Sequence, residues 1–558
     1  MRYIIIFIFL FPAGIFAQHK KELQKLGEDF FSWRTLEQPI TGDDVPRTER
    51  PDGWVPDYSP NSLKEYQQSY LRFSGRLKKL NRNNWTIQDS VDYLLLRSAI
   101  DRVNWELNIL KLPSRDPDFY VHQTASAVFE LLIISSPINE DREKNILLRL
   151  KSIPATLKYA EQNLTEPVAA FADIALEDMD GINEKLSETE TALYKIFPAD
   201  LHGELKISFA EAENSFTRFI GWLEKEKPKM KNNYSIGRKN FLYFLNNIAL
   251  IPYSPEQILA MGKEEFNRSV SFDIYQKVQD EDLPKAKLFS SSAEQIARAQ
   301  IDEEAIRKFL VEYHIMSVPA WVKHYKEEII PDYVKPLSSL GEDDDFTSPT
   351  RLGEDAVRYI PQPSPDLSFF DLATAEDPRP IIIHEGVPGH YFQLVLSWKN
   401  SDPIRRHYFD SNANEGIGFY LEELMLQFGL FNDSPRTKEI IYSFMRLRAL
   451  RVAADVNLAL GNFTMNDAAK YLAATVPMNY KSAIGEAKFF AQTPGQGMSY
   501  QTGKIQILKF LSDAKLKLGD KFSLKDFHDY LLQNGNVPIA LLRWEYLGLN
   551  DEVKKLWK

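Results

Sequence analysis

Apolar residues recur every three or four positions from Leu63 to Leu80 and again from Ile87 to Leu110. The same rhythm returns in Ser208–Glu226, Pro255–Gln276, Pro435–Leu460 and Gln501–Leu518. That period puts one apolar stripe on an α-helix, and a stripe must be buried against other helices. The pattern predicts a mainly α, large multi-helical body with a few short strands. Prolines and polar clusters punctuate it: Asn84–Thr86 is a break, Ser135-Ser-Pro137 ends a helix, and Pro154 kinks a helix or starts a new one. Val318–Tyr333 reads as a short strand or helix, and Tyr359–Phe370, with three prolines, as an extended segment that forms a strand or lines a groove. Leu340-Gly-Glu-Asp-Asp-Asp-Phe346 reads as a solvated acidic turn, since its spacing is not that of an EF-hand loop.

With 558 residues, 44 % of them hydrophobic, the chain can bury a large core in two or three packed regions. We place an N-terminal helical region at 18–290 and a C-terminal one at 291–558. A net charge of -11 argues against non-specific nucleic-acid binding. There is no cysteine, which excludes disulfides, a thiol nucleophile, thiolate metal sites and lipidation at a lipobox cysteine. Any metal must be held by His, Asp and Glu. Residues 1–17 combine Arg2, a short apolar stretch and a small residue, Ala17, before polar Gln18-His-Lys-Lys21. This is the pattern of a signal peptide cleaved after Ala17, and no other stretch is apolar enough to span a membrane. The expectation is export, to the periplasm or the medium, with no membrane association after cleavage.

The chemistry concentrates in Arg379-Pro-Ile-Ile-Ile-His-Glu-Gly-Val-Pro-Gly-His-Tyr-Phe-Gln393. His384 and His390 are potential zinc ligands, Glu385 a potential base, and Glu415 a third ligand at the head of an amphipathic run. Histidines four apart share a helical face, but here they are six apart, about 240° round an ideal helix. An uninterrupted helix therefore fails. Either a break at Pro388-Gly389 absorbs two residues and swings His390 back, or Ile381–Ile383 is a strand end and a helix starts near Pro388. Read from these residues alone, a metal site and an ordinary polar turn both stand.

Three motifs bear on that choice. His384-Glu-Gly-Val-Pro-Gly-His390 with Gln393 resembles the His-Glu-x-x-Pro-Gly-His-x-x-Gln signature of the domain of unknown function 885 family. Asn414-Glu-Gly-Ile-Gly-Phe-Tyr-Leu-Glu-Glu-Leu424 and Pro494-Gly-Gln-Gly-Met-Ser-Tyr500 resemble two more of its motifs. That family is similar to helical gluzincin metallopeptidases, such as the thimet oligopeptidase and angiotensin-converting enzyme groups. The resemblance implies a cleft-bearing gluzincin-like fold and zinc-dependent hydrolysis of a peptide substrate. Carried over by motif, His384, His390 and Glu415 are ligands of one zinc ion and Glu385 is the general base. Tyr500 is our candidate donor to the oxyanion, with Tyr480 second. One of Arg446, Arg448 and Arg451 is placed to bind a peptide carboxylate, and Asp455 to orient a ligand imidazole. The chain departs from the family pattern at Tyr391, Ile417, Ala459 and Phe489. These losses motivate a second expectation: a non-catalytic exported peptide-binding protein with a structural or vestigial metal site.

Overall fold

The computed structural model describes residues 13–41 and 46–556. Most of the expected signal peptide, residues 1–12, lies outside the described residues. The first described helix, Ala13–Glu37, runs through the expected cleavage point.

Helices dominate, and their ends follow from local chemistry. Thr86 with Asp89, Ser254 with Gln257, and Thr464 with Asp467 form capping boxes, each satisfying orphan amides at a helix start. Two long helices build the N-terminal wall, α1 (Glu140–Asn163) and α2 (His202–Glu226). Pro154 sits inside α1 without ending it. Leu205, Phe209, Ala212, Phe216, Phe219 and Leu223 form one stripe on α2 and are fully buried against Leu150, Ile153 and Leu157 of α1. Each large side chain so buried stabilises by about 1.5–3 kcal/mol. α3 (Pro255–Gln279) follows and packs on a long C-terminal helix.

A small sheet interrupts the helices. β1 (Tyr325–Ile329) pairs in parallel with β3 (Ala356–Ile360), and β2 (Asp344–Asp345) pairs antiparallel with β3's other edge. Val318–Tyr333 thus supplies a strand, whereas Tyr359–Phe370 contributes only Tyr359 and Ile360 to β3, its proline-rich remainder lying outside any strand and its last residue, Phe370, lining a cavity. The acidic stretch differs from the solvated turn expected of it. Asp344 and Asp345 are only 2 % and 3 % exposed. The reason lies downstream in sequence: Arg358 stands opposite Asp344 across the strands and pairs with it at 2.5 Å, while Arg351 pairs with Asp345 at 2.6 Å. A run of like charges stays in water only when nothing compensates it.

The C-terminal elements are α4 (Arg379–Glu385), α5 (His390–Trp398), α6 (Ser411–Phe428), α7 (Pro435–Leu460) and α8 (Gln496–Leu518). α6 crosses α8, and α7 lies against both α3 and α8. The largest core cluster joins the two halves of the chain. Leu23, Phe30, Phe73 and Leu94 pack in one body with Ile383, Phe392, Tyr420, Phe510 and Leu541.

Candidate metal centre

α4 is anchored by Arg379, which pairs with Asp377 and Asp433, and by Ile381, Ile382 and Ile383, all buried. Those three residues are helical, not a strand end. The helix stops after Glu385, the Val387–Pro388 peptide is cis, and a new helix opens at His390. The two extra residues are thus absorbed at Pro388-Gly389. Gly389 is required for steric reasons: a Cβ there would stand 1.8 Å from the His384 carbonyl oxygen. The chain folds directly onto His384, and the two imidazole centroids end 4.7 Å apart.

α6 delivers the carboxylate. Asp410 caps it by accepting from the Ala413 amide at 2.8 Å. One turn on, the Glu415 Oε2 atom lies 3.3 Å from His384 Nε2 and 3.4 Å from His390 Nε2. All three side chains are buried, and their ligand atoms lie within 4.8 Å of one another. No other trio of His, Asp or Glu converges this way among the described residues. Gly418 makes room, since a Cβ there would press on the His384 ring at 2.7 Å. Gln496, at the start of α8, donates to Glu415 Oε1 at 3.2 Å, and Asn414 donates to Gln393 at 2.8 Å.

Glu422 is the residue that sequence reasoning missed. Its Oε1 lies 2.6 Å from His384 Nδ1, and Arg448 donates to the same carboxylate at 2.8 Å. Glu422 follows Glu415 by seven residues, two turns along one helical face, and that spacing was the available signal. Burial pushes the Glu422 carboxyl up to about 7, against Arg448 and Lys504. Arg448 also approaches His384 Nδ1, at 3.2 Å, so Nδ1 faces a carboxylate and a guanidinium together. Burial, with Arg448 and His390 adding to it, drives the His384 pKa well below the usual histidine range, so the ring is neutral. At 3.3 Å its Nε2 can donate to Glu415 Oε2 or, with the lone pair turned that way, share a cation with it. The donor set, two imidazoles and a carboxylate with a carboxylate behind one ring, suits zinc.

Glu385 is the open member of the group. Its side chain is 23 % exposed, its Oε2 is 3.9 Å from His390 Nε2, and it lines a cavity of about 410 Å³. Burial pushes its carboxyl up to about 8; His390 and Arg358 oppose the rise, and Asp344 and Glu415 add to it. Tyr500 lines the same cavity, its ring 6.2 Å from that of His384 and beneath the Arg451 guanidinium at 4.9 Å.

Other expected residues lie elsewhere. Tyr480 is 47 % exposed and donates to Asn466, away from this cavity. Asp455 touches no imidazole; it accepts from the Gly495 and Met498 amides and so shapes the turn into α8. Arg446 pairs with Asp273 on α3, whereas Arg448 and Arg451 both line the cavity, paired with Glu422 and Glu486. Of the four departures from the family pattern, Tyr391, Ile417 and Ala459 are buried in apolar clusters, and only Phe489 faces the cavity.

The family described as bacterial protein of unknown function, DUF885, matches residues 40–545. The chain belongs to this family. No curated protein matches it. Among solved structures, it is similar to a candidate lipoprotein of unknown function from Shewanella oneidensis, at 16 % identity with a TM-score of 0.70, covering 95 % of this chain and 99 % of that one. It is likewise similar to a candidate lipoprotein from Colwellia psychrerythraea, at 16 % identity with a TM-score of 0.74, covering 94 % and 98 %. At these identities the likeness speaks to the fold.

Proposed function

We propose that this DUF885 protein is an exported zinc-dependent peptidase. The observation that carries the reading is the convergence of His384, His390 and Glu415 beside Glu385, with Glu385, His390 and Glu415 all lining a cavity large enough for a peptide segment. Zinc held by the three ligands would supply Lewis acidity and bring the pKa of a water down to roughly 7. Glu385 takes the proton from the attacking water and later delivers it to the leaving amine. Tyr500 donates to the developing oxyanion. Glu422 and Arg448, paired with each other, hold the His384 ring in orientation from behind. Phe489 gives the cavity an apolar wall for a substrate side chain. The N-terminal pattern of residues 1–17 supports export, and two structural neighbours described as lipoproteins agree with it. This sequence holds no cysteine that could carry the lipid.

The decisive experiment is Glu385→Gln with zinc quantification and a short-peptide cleavage assay. The expected outcome is stoichiometric zinc with hydrolysis reduced roughly 100- to 10,000-fold. Unchanged hydrolysis removes Glu385 as the base. A wild-type protein that takes up no stoichiometric zinc after reconstitution sinks the whole reading. Peptide binding without chelator-sensitive cleavage would favour a non-catalytic peptide-binding protein instead.

A further inference from the structure

A second cavity, of about 280 Å³, adjoins the first. Ile40, Thr41, Gly485 and Phe489 line both. Gln496 lines the second cavity and hydrogen-bonds Glu415 of the metal centre, so one side chain separates the two. Asp116, Asp118, Asp178 and His122 lie together in its wall.

The bonding of Asp118 is lopsided. Its Oδ2 receives Gln492 Nε2 at 2.9 Å and faces His122 Nε2 at 3.2 Å. Its Oδ1 has no hydrogen-bond partner among the described residues, although the residue is only 1 % exposed. A buried carboxylate oxygen without a donor has lost its hydration with nothing in its place. The Asp178 carboxyl lies against that of Asp118, and two carboxyls in contact hold either one proton or a cation between them. Positive charge beside them is limited: His122 faces Asp118, and Lys488 on the same wall is already paired with Glu177. Burial pushes Asp116 up to about 7 and Asp178 up to about 8, which a cationic guest would relieve.

The aromatic part of the lining suits such a guest. Trp105, Phe119 and Phe244 line the cavity, and an aromatic face attracts a desolvated cation. Trp105, His122 and Phe244 each come from a π-helical segment: Trp105–Leu110, His122–Ser126 and Phe244–Ile248. Such bulges are rare and concentrate at functional sites.

We propose that this second cavity is the subsite for a positively charged nitrogen of the substrate, either its amino terminus or a basic side chain. The proposal rests on the peptidase reading only in calling the ligand a peptide.

The test is calorimetric binding to zinc-loaded Glu385→Gln protein, which leaves the second cavity untouched and prevents turnover. Three C-terminally amidated pentapeptides of otherwise identical sequence serve as probes. One has a free amino terminus and no basic residue, one is acetylated with a single lysine, and one is acetylated and neutral. At least one cationic peptide is expected to bind about tenfold tighter than the neutral one or better, the scale of a hydrogen bond to a charged group. Which one does so identifies the nitrogen. Adding Asp118→Asn should erase the preference, with Asp178→Asn, a less buried position, as the second variant should the first not fold. Equal binding of all three peptides, no binding at all, or a preference that survives both substitutions overturns the proposal. Wild-type hydrolysis separates the two readings: a cation preference without cleavage leaves the subsite and sinks the peptidase, and cleavage without a preference does the reverse.

Discussion

Two helix pairs in this protein are built on opposite principles. α1 and α2 meet through Phe209, Phe216, Phe219, Leu150 and Leu157, a dry apolar seam. α6 and α8 meet through backbone and buried polar groups. Gly416 and Gly503 cross so closely that a Cβ on Gly503 would stand 1.9 Å from the Asn412 carbonyl oxygen. Around that crossing Asn412 receives a bond from Thr502 and donates to Gln506, Gln496 reaches Glu415, and Lys504 pairs with Glu265 and Glu423. The apolar seam gains stability from area removed from water and tolerates exchange of similar volumes. The polar crossing gains little net stability but leaves each group one place to go. That property suits a pair that must hold Glu415 against two histidines.

The contrast can be broken at either pair. Phe216→Ala should have the largest effect on stability, about 3–5 kcal/mol by denaturant unfolding, with zinc affinity nearly unchanged. A matching loss of zinc affinity would show that the two walls are not separable. Gly503→Ala should cost about 1–3 kcal/mol or more and also abolish stoichiometric zinc, because relieving the clash parts α6 from α8 and displaces Glu415 from the two histidines. A variant with full zinc content would mean that the crossing does not position Glu415. Glu422→Gln sharpens the comparison further: unfolding should change little, while zinc affinity, measured by competition with a chromophoric chelator, should fall about 10- to 100-fold.

The smallest effect at neutral pH concerns Glu423, which ties α6 to Arg268 of α3 and Lys504 of α8. Burial disfavours its ionised form, but Arg268 and Lys504 overcome that and hold the carboxyl down at about 2. A depressed carboxyl contributes stability above its ordinary value near 4.5, and that stability is lost as pH falls toward 2. The stability gap between wild type and Glu423→Gln should therefore close across that window. A gap constant from pH 6 to 2.5 would mean that the network does not depress Glu423.

Much of this was legible in the chain. The helical class follows from apolar spacing, which needs only local geometry. The break at Pro388-Gly389 also shows in the sequence, because histidines six apart cannot share a helical face and a Pro-Gly pair marks where the helix yields. Asp344 and Asp345 are buried rather than solvated because Arg358 arrives through strand pairing and Arg351 through the turn between the strands, which no local rule anticipates. Asp455 shapes the turn into α8 rather than orienting an imidazole, because its partners are backbone amides brought to it by packing. Three of the departures from the family pattern, Tyr391, Ile417 and Ala459, point into the core, which only burial reveals.

By itself, then, the sequence determined the elements and the residue types at the centre: helices, a forced break, two histidines and a glutamate. Tertiary structure alone decided that Glu422 stands behind His384, that Asp118 keeps an unpartnered oxygen beside a second cavity, and that Glu385 faces the first. The physical reason is range. Periodicity and backbone restriction act over a few residues, whereas burial and charge pairing are set by groups that meet only when distant helices pack.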